Sequence, residues 1–101
     1  MRVVIQYRAG EVPQAEAAAN QEALWEWVEQ LQDHPEHEQT VAVGEGRTIS
    51  GDSDTAYAGE VFGISVLQVD SLEMASALLA DWPEFAYGGH LDILPELSEA
   101  Q

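Results

Sequence analysis

The stretch VLQVDSLEMASALLADWPEFAYGGHLDILPEL, residues 66–97, decides the fold of this chain. It opens inside an apolar run, residues 61–70, whose alternation of side chains is typical of a β-strand. Ser71 then stands where a helix needs an N-cap. Glu73 lies in the first turn, where the helix dipole favours a negative charge. The sequence therefore predicts a strand followed directly by a capped helix.

The second part of that stretch predicts the end of the helix and another strand. Pro83 cannot continue a helix, because proline lacks a backbone N–H and its ring clashes with the preceding turn. The glycine pair at residues 88–89 turns the chain. HLDILPEL, residues 90–97, then alternates as a short strand does.

The N-terminal half predicts the same elements once more. RVVIQY, residues 2–7, has the β-branched and aromatic composition of a strand, with a central place in the sheet expected. Residues 13–33 form a helix with Pro13 in its first turn. TVAVGEGRTIS, residues 40–50, has two β-like clusters interrupted by Gly44 and Gly46, which predict a strand with a bulge or a bent hairpin arm. Residues 51–60 are predicted to be a loop. The order is that of an α+β, ferredoxin-like β-α-β-β-α-β sandwich, in one domain over residues 1–101.

That topology has a consequence for assembly. Two helices can cover only one face of a four-stranded sheet. The alternation in residues 61–69, together with apolar residues in 2–7 and 91–94, makes the other face apolar enough to need a partner. We therefore expect two copies to pack sheet to sheet as a homodimer, a dimeric α+β barrel.

The charge of the chain disfavours two classes of partner, nucleic acids and membrane surfaces. It has 19 acidic residues, 3 arginines and no lysine, for a net charge of −16. Such a surface repels nucleic acids and anionic membrane surfaces. The acidity has two open explanations, either adaptation to a salty environment, which is favoured because the acids are spread along the chain, or a surface that docks a basic partner.

Cysteine content and the N-terminus bear on chemistry and location. The chain has no cysteine, so disulfides, thiolate metal sites and cysteine nucleophiles are excluded. The first apolar run is too short for a signal peptide or a membrane span, so a cytoplasmic protein is expected.

The C-terminal half carries a family resemblance. It resembles the YCII-related domain and its DGPF relatives in the succession of VDSLEMASALLADWP, a glycine pair and HLDILPEL. The specific part of the resemblance is residues 59–95. The resemblance implies a dimeric α+β barrel. It also implies a histidine on the first helix paired with an aspartate at the end of the second. Asp81 lies near the second position, but the first helix has no histidine before His34, and the DGPF tetrapeptide is missing.

The candidate catalytic residues are Asp81 and His90, as the proton-handling groups of an acid–base pair. Asp81 is chosen from the resemblance, and the solvated end of a helix is the simpler interpretation of it. His90 shares a strand face with Asp92, so both would meet a ligand if that face lined a site. An exposed pair near the sheet edge is favoured over that role.

Further residues are candidates for a ligand pocket. Trp82 and Tyr87 are expected near the end of the second helix, either closing the core or lining a small apolar pocket. Trp25 must lie on the flank of its helix, either half exposed, in a dimer contact or over a pocket, and the dimer contact is favoured. Arg47 is a candidate anion anchor, although an internal salt bridge is favoured.

No metal or cofactor is predicted. His34 and His37 in DHPEHE have a spacing that could hold a divalent ion, but an exposed acidic loop is the better interpretation. GEGR, residues 44–47, lacks the context of a phosphate loop.

Three functions remain open from the sequence. The favoured one is a YCII-like barrel that binds a small molecule in a cleft between sheet, helices or subunits. The second is a cofactor-free hydrolase, isomerase or lyase that uses Asp81 and His90. The third is an acidic protein-interaction module.

Overall fold

The computed structural model describes residues 1–97. Its strands and α-helices are β1 (Arg2–Arg8), α1 (Ala17–Gln32), β2 (His37–Ala42), β3 (Arg47–Ile49), β4 (Asp54–Ala56), β5 (Val61–Gln68), α2 (Leu72–Leu79) and β6 (His90–Pro95). Short 3-10 helices precede α1 at Gln14–Glu16 and β6 at Pro83–Tyr87. Without the small strands β3 and β4, the order is β-α-β-β-α-β, which confirms the predicted ferredoxin-like α+β class.

The main sheet has four antiparallel strands in the order β2-β5-β1-β6. The two central strands are therefore β1 and β5, as predicted for residues 2–7. Val4 pairs with Val66 on one side and with Leu94 on the other, which fixes the register across three strands. Alternate residues along each strand therefore point to opposite faces.

Both α-helices lie on one face of this sheet and form the core with it. The buried apolar residues of the helices are Trp27 and Leu31 in α1, and Ala75 and Leu79 in α2. The complete buried cluster is Val3, Ile5, Tyr7, Trp27, Leu31, Leu67, Val69, Ala75, Leu79 and Trp82. The predicted N-cap is present, since the Ser71 hydroxyl accepts the Met74 N–H at 3.1 Å.

The opposite face of the sheet is open in the single chain. This face carries three half-buried apolar residues from the two central strands: Val4, Ile64 and Val66. Leu94 continues this apolar patch on β6 with 47% of its surface exposed.

A hairpin outside the main sheet corrects the prediction of a loop at residues 51–60. β4 lies within that range and pairs with β3 in a separate two-stranded sheet, with Thr48 opposite Thr55. Every residue from 41 to 60 is exposed. The hairpin therefore has no buried face, and its sequence has no apolar alternation from which it could be predicted.

The start of β2 is a second correction. His37 already belongs to the strand, although DHPEHE was expected to be an exposed loop. Pairing with β5 overrides the polar composition here, because His37 stands opposite Leu67 and the Gln68 N–H donates to the Glu36 carbonyl at 2.7 Å.

A β-bulge at the start of β5 positions an aromatic side chain of the candidate site. Tyr7 pairs with Gly63 and Arg8 with Val61, so Phe62 is the extra residue. The bulge turns the Phe62 ring to the helix-covered face, where it packs on Trp82 at a centroid distance of 6.0 Å.

Candidate functional site

A cavity of about 690 Å³ lies between α1 and the sheet, next to this bulge. That volume is within the range of small-molecule sites, roughly 300–1,000 Å³. The sheet contributes Tyr7, Phe62 and Gly63, and α1 contributes Leu24 and Val28. Most of the lining is apolar, with a few polar groups at defined places.

Aromatic rings form the wall of the cavity on the sheet side. The centroids of Tyr7 and Trp82 are 5.6 Å apart, and Trp27 supports Tyr7 from behind in an edge-to-face contact at 6.0 Å. Contacts of this kind hold the rings in fixed orientations. The wall is therefore formed before any ligand arrives.

Trp25 supplies an aromatic ring from the helix side. Its side chain lines the cavity while 52% of the residue surface remains exposed. In the single chain Trp25 is therefore half exposed at the edge of the cavity, and the favoured dimer contact stays a prediction.

One end of the cavity holds a buried carboxylate, Glu84, in the 3-10 helix that follows α2. Only 3% of its surface is exposed. Asn20 of α1 donates from Nδ2 to Glu84 Oε1 at 2.6 Å, and the Gly10 N–H donates to Oε2 at 3.0 Å. Gly10 is required there, because a Cβ atom would collide with the backbone carbonyl of Tyr87.

The cavity has no basic side chain among the residues that the structure describes. The three arginines are each engaged by carboxylates elsewhere: Arg2 with Glu38 and Glu96 at 3.1 Å, Arg8 with Asp92 at 3.0 Å, and Arg47 with Asp54 at 2.7 Å. Glu84 therefore faces neutral donors only.

A chain of side-chain hydrogen bonds leads from the cavity to the edge of the sheet. Tyr7 Oη lies 2.6 Å from Ser65 Oγ, which lies 2.6 Å from Thr40 Oγ1, which lies 2.7 Å from His37 Nε2. Tyr7 and Thr40 also line the cavity. Burial raises the pKa of Tyr7 to about 12, against the smaller opposing effect of the Ser65 hydrogen bond, and burial lowers the pKa of His37.

The predicted catalytic residues are not brought into this cavity. The Asp81 carboxylate accepts a hydrogen bond from Trp27 Nε1 at 2.8 Å and fixes the orientation of that indole. His90 is the exposed first residue of β6, and Asp92 forms its ion pair with Arg8. None of the three is a lining residue.

Of the predicted pocket residues Trp82, Tyr87 and Arg47, only Trp82 lines the cavity. Trp82 is buried and lines the cavity, so it serves both core and wall. Tyr87 is half-buried outside the lining, and its backbone carbonyl accepts the Glu11 N–H at 2.9 Å. Arg47 lies in the exposed hairpin in the salt bridge with Asp54 that was favoured for it.

Asn20 and Glu84 are buried polar residues of the cavity lining, and the sequence analysis selected neither as a site residue. Asn20 precedes Leu24 by four positions and Trp27 by seven, which places it on the apolar face of the predicted helix. Glu84 stands alone among aromatics in WPEFAY, residues 82–87. A polar residue inside an apolar pattern was the available signal in both places.

Two further observations concern metals and membranes. Within residues 1–97 there is no group of three histidine, aspartate or glutamate side chains placed to hold a metal ion. No helix among those residues has the length and apolar character to cross a bilayer.

The fold and the cavity define a ferredoxin-like α+β protein with an aromatic, acid-ended cavity between helix and sheet. The solved structure of 5-chloro-2-hydroxyhydroquinone dehydrochlorinase from Burkholderia phenoliruptrix, in complex with 2,5-dihydroxybenzoquinone, is similar to this chain. The TM-score is 0.51 at 13% identity, over 99% of this chain and 98% of that one. At that identity the likeness shows the shared fold. No protein-family model and no curated protein sequence matches the chain.

Proposed function

We propose that this protein is a YCII-like homodimer that binds a small, largely apolar molecule in the cavity between α1 and the sheet. The cavity itself carries the proposal, because its volume of about 690 Å³ and its preformed aromatic wall suit a ring-sized ligand. The solved structure of the same fold holds a ring-sized molecule, 2,5-dihydroxybenzoquinone, which supports the proposal further.

Binding is favoured over the His/Asp enzyme of the sequence analysis. An acid–base pair must lie within reach of a bound substrate. His90 is exposed on β6 and Asp81 is occupied by Trp27, and neither lines the cavity. No observation in the described chain favours catalysis by this pair.

The dimer is proposed from the open face of the sheet. Val4, Ile64 and Val66 lie side by side there with no helix over them. A second copy offers the same apolar face, and two such faces cover each other when related by a two-fold axis. That arrangement gives the dimeric barrel and leaves the helix-side cavity of each subunit separate.

The test of the cavity uses a matched pair of variants and a neutral probe, 2-phenylethanol. Ala42→Phe fills the cavity from β2, whereas Ala56→Phe adds the same ring to the exposed strand β4. Ligand-observed NMR should show binding to the wild type and to Ala56→Phe, and a loss of about tenfold or more in Ala42→Phe. Equal binding by both variants, or no binding by the wild type, would overturn the proposal.

A further inference from the structure

The polar groups of the cavity specify the charge of its ligand. Glu84 is its one acidic lining residue among those described, and it is 3% exposed. A carboxylate has about four acceptor positions, and Asn20 and Gly10 use one each. Roughly half of its capacity to accept hydrogen bonds therefore remains.

Burying a carboxylate is costly unless a positive charge or enough donors compensate it. Both observed donors to Glu84 are neutral amides. No arginine, lysine or histidine of residues 1–97 lines the cavity, and each arginine is already paired with an acid elsewhere. The described part of the chain therefore has no cation for this carboxylate.

The aromatic rings around the cavity favour the same kind of ligand. The faces of tryptophan and tyrosine rings attract organic cations, and that attraction grows where water is excluded. Tyr7, Phe62 and Trp82 form one wall and Trp25 the other. A cavity with aromatic rings on two sides and one carboxylate is suited to an ammonium group carried on an apolar body.

The charge of the whole chain acts in the same direction. A net charge of −16 raises the concentration of cations near the surface and lowers that of anions. An anionic ligand would meet this field and then Glu84, with no compensating side chain in the described cavity.

We propose that the cavity selects a small organic cation, an amine or quaternary ammonium compound with an apolar or aromatic body, whose charge pairs with Glu84. This inference rests on the proposed binding function and assigns its ligand class. Asn20 is a positioning residue in this site, because its amide donates to the Glu84 carboxylate and both residues line the cavity.

The experiment compares three probes that share one body and differ in charge: phenethylamine, 2-phenylethanol and phenylacetate. Calorimetry or ligand-observed NMR on the wild type should rank the amine first, the alcohol about tenfold or more weaker, and the carboxylate last. Added salt should weaken binding of the amine and leave binding of the alcohol almost unchanged.

The same probes are then measured on two variants. Glu84→Gln removes the charge from the cavity, and the control Glu73→Gln removes the same charge from the exposed surface of α2. Glu84→Gln should abolish the preference for the amine while the alcohol still binds, and Glu73→Gln should retain the preference. A structural role of Glu84 alone would instead weaken all three probes equally.

The outcomes separate the two proposals. If the alcohol binds the wild type as tightly as the amine, or phenylacetate binds best, the ligand class is overturned while the binding function stands. If Ala42→Phe binds every probe as the wild type does, the cavity itself is not the site and both proposals fail. Because the ranking is measured on the wild type, it does not depend on the folding of any variant.

Discussion

Tyr7 belongs at once to the core, to the cavity wall and to the hydrogen-bond chain. Its ring contacts Trp27 and Trp82, and its hydroxyl is bonded to Ser65. Burial is the main reason that its pKa rises from 10.0 to about 12. The folded protein therefore holds this phenol protonated at a pH where an unfolded chain would already have lost the proton.

The raised pKa of Tyr7 should make the free energy of unfolding decrease as the pH rises above 10.0. Below pH 10.0 the phenol is protonated in both states, and between 10.0 and about 12 only the unfolded state ionises. The free energy of unfolding should fall there by about 1.4 kcal/mol per pH unit from this residue. Urea unfolding at a series of pH values should show a shallower decline in Tyr7→Phe than in the wild type.

The control for that series is Tyr57→Phe, in the exposed part of the chain. It should decline with pH as the wild type does. An unchanged slope in Tyr7→Phe would contradict the assignment.

The candidate site shows what a sequence can and cannot predict about single residues. Trp82 was predicted at a pocket from its position after the second helix. Asn20 and Glu84 are 64 positions apart, and only the packing of α1 against the 3-10 helix joins them. Asp81 also contacts α1, through the hydrogen bond from Trp27 Nε1, but the cavity lining contains Glu84, which stands in the helical turn that continues past Pro83.

Among the elements, α2 is the α-helix whose N-cap makes a side-chain hydrogen bond, whereas α1 begins without one. It spans only Leu72–Leu79, and isolated helices of that length are not stable in water. The Ser71 hydroxyl satisfies one N–H of its first turn. Ser71→Ala should lower the free energy of unfolding by about 1 kcal/mol, measured by urea denaturation.

Ser76→Ala is the matched control within the same helix. Ser76 is exposed, and alanine has the higher helix propensity, so this variant should be as stable as the wild type or slightly more stable. Equal losses in both variants would show that the cap is not the cause.

The sequence predicted elements well where burial imposes a period. β1, α1, β5, α2 and β6 all have an apolar alternation or helical spacing, and each lies close to its predicted range. The hairpin β3–β4 has exposed residues on both sides, so its pairing leaves no such pattern. The beginning of β2 was missed because it is a polar segment at the sheet edge that pairs with β5 through its backbone and has no apolar alternation.

At the scale of the whole molecule, the open sheet face predicts the assembly. Ile64 lies at the middle of that face, where β5 pairs with Gln6 of β1 and Val41 of β2. Ile64→Lys would bury a charge without a partner in the proposed dimer interface, which is costly. Sedimentation equilibrium should show a dimer for the wild type and a folded monomer for Ile64→Lys.

Ala77→Lys makes a matched change of charge on the exposed surface of α2. Because the protein is strongly acidic, this added positive charge should slightly favour association. A monomeric wild type, or a dimeric Ile64→Lys protein, would remove the barrel.

The hydrogen-bond chain from Tyr7 to His37 has a direction as well as a length. When His37 Nε2 accepts, Thr40 donates to it, Ser65 donates to Thr40 and Tyr7 donates to Ser65. When the imidazole donates at Nε2, Thr40 is free to donate to Ser65, and Ser65 to Tyr7. The tautomer of a histidine at the edge of the sheet is therefore coupled to the orientation of the Tyr7 hydroxyl in the cavity wall, with no displacement of heavy atoms.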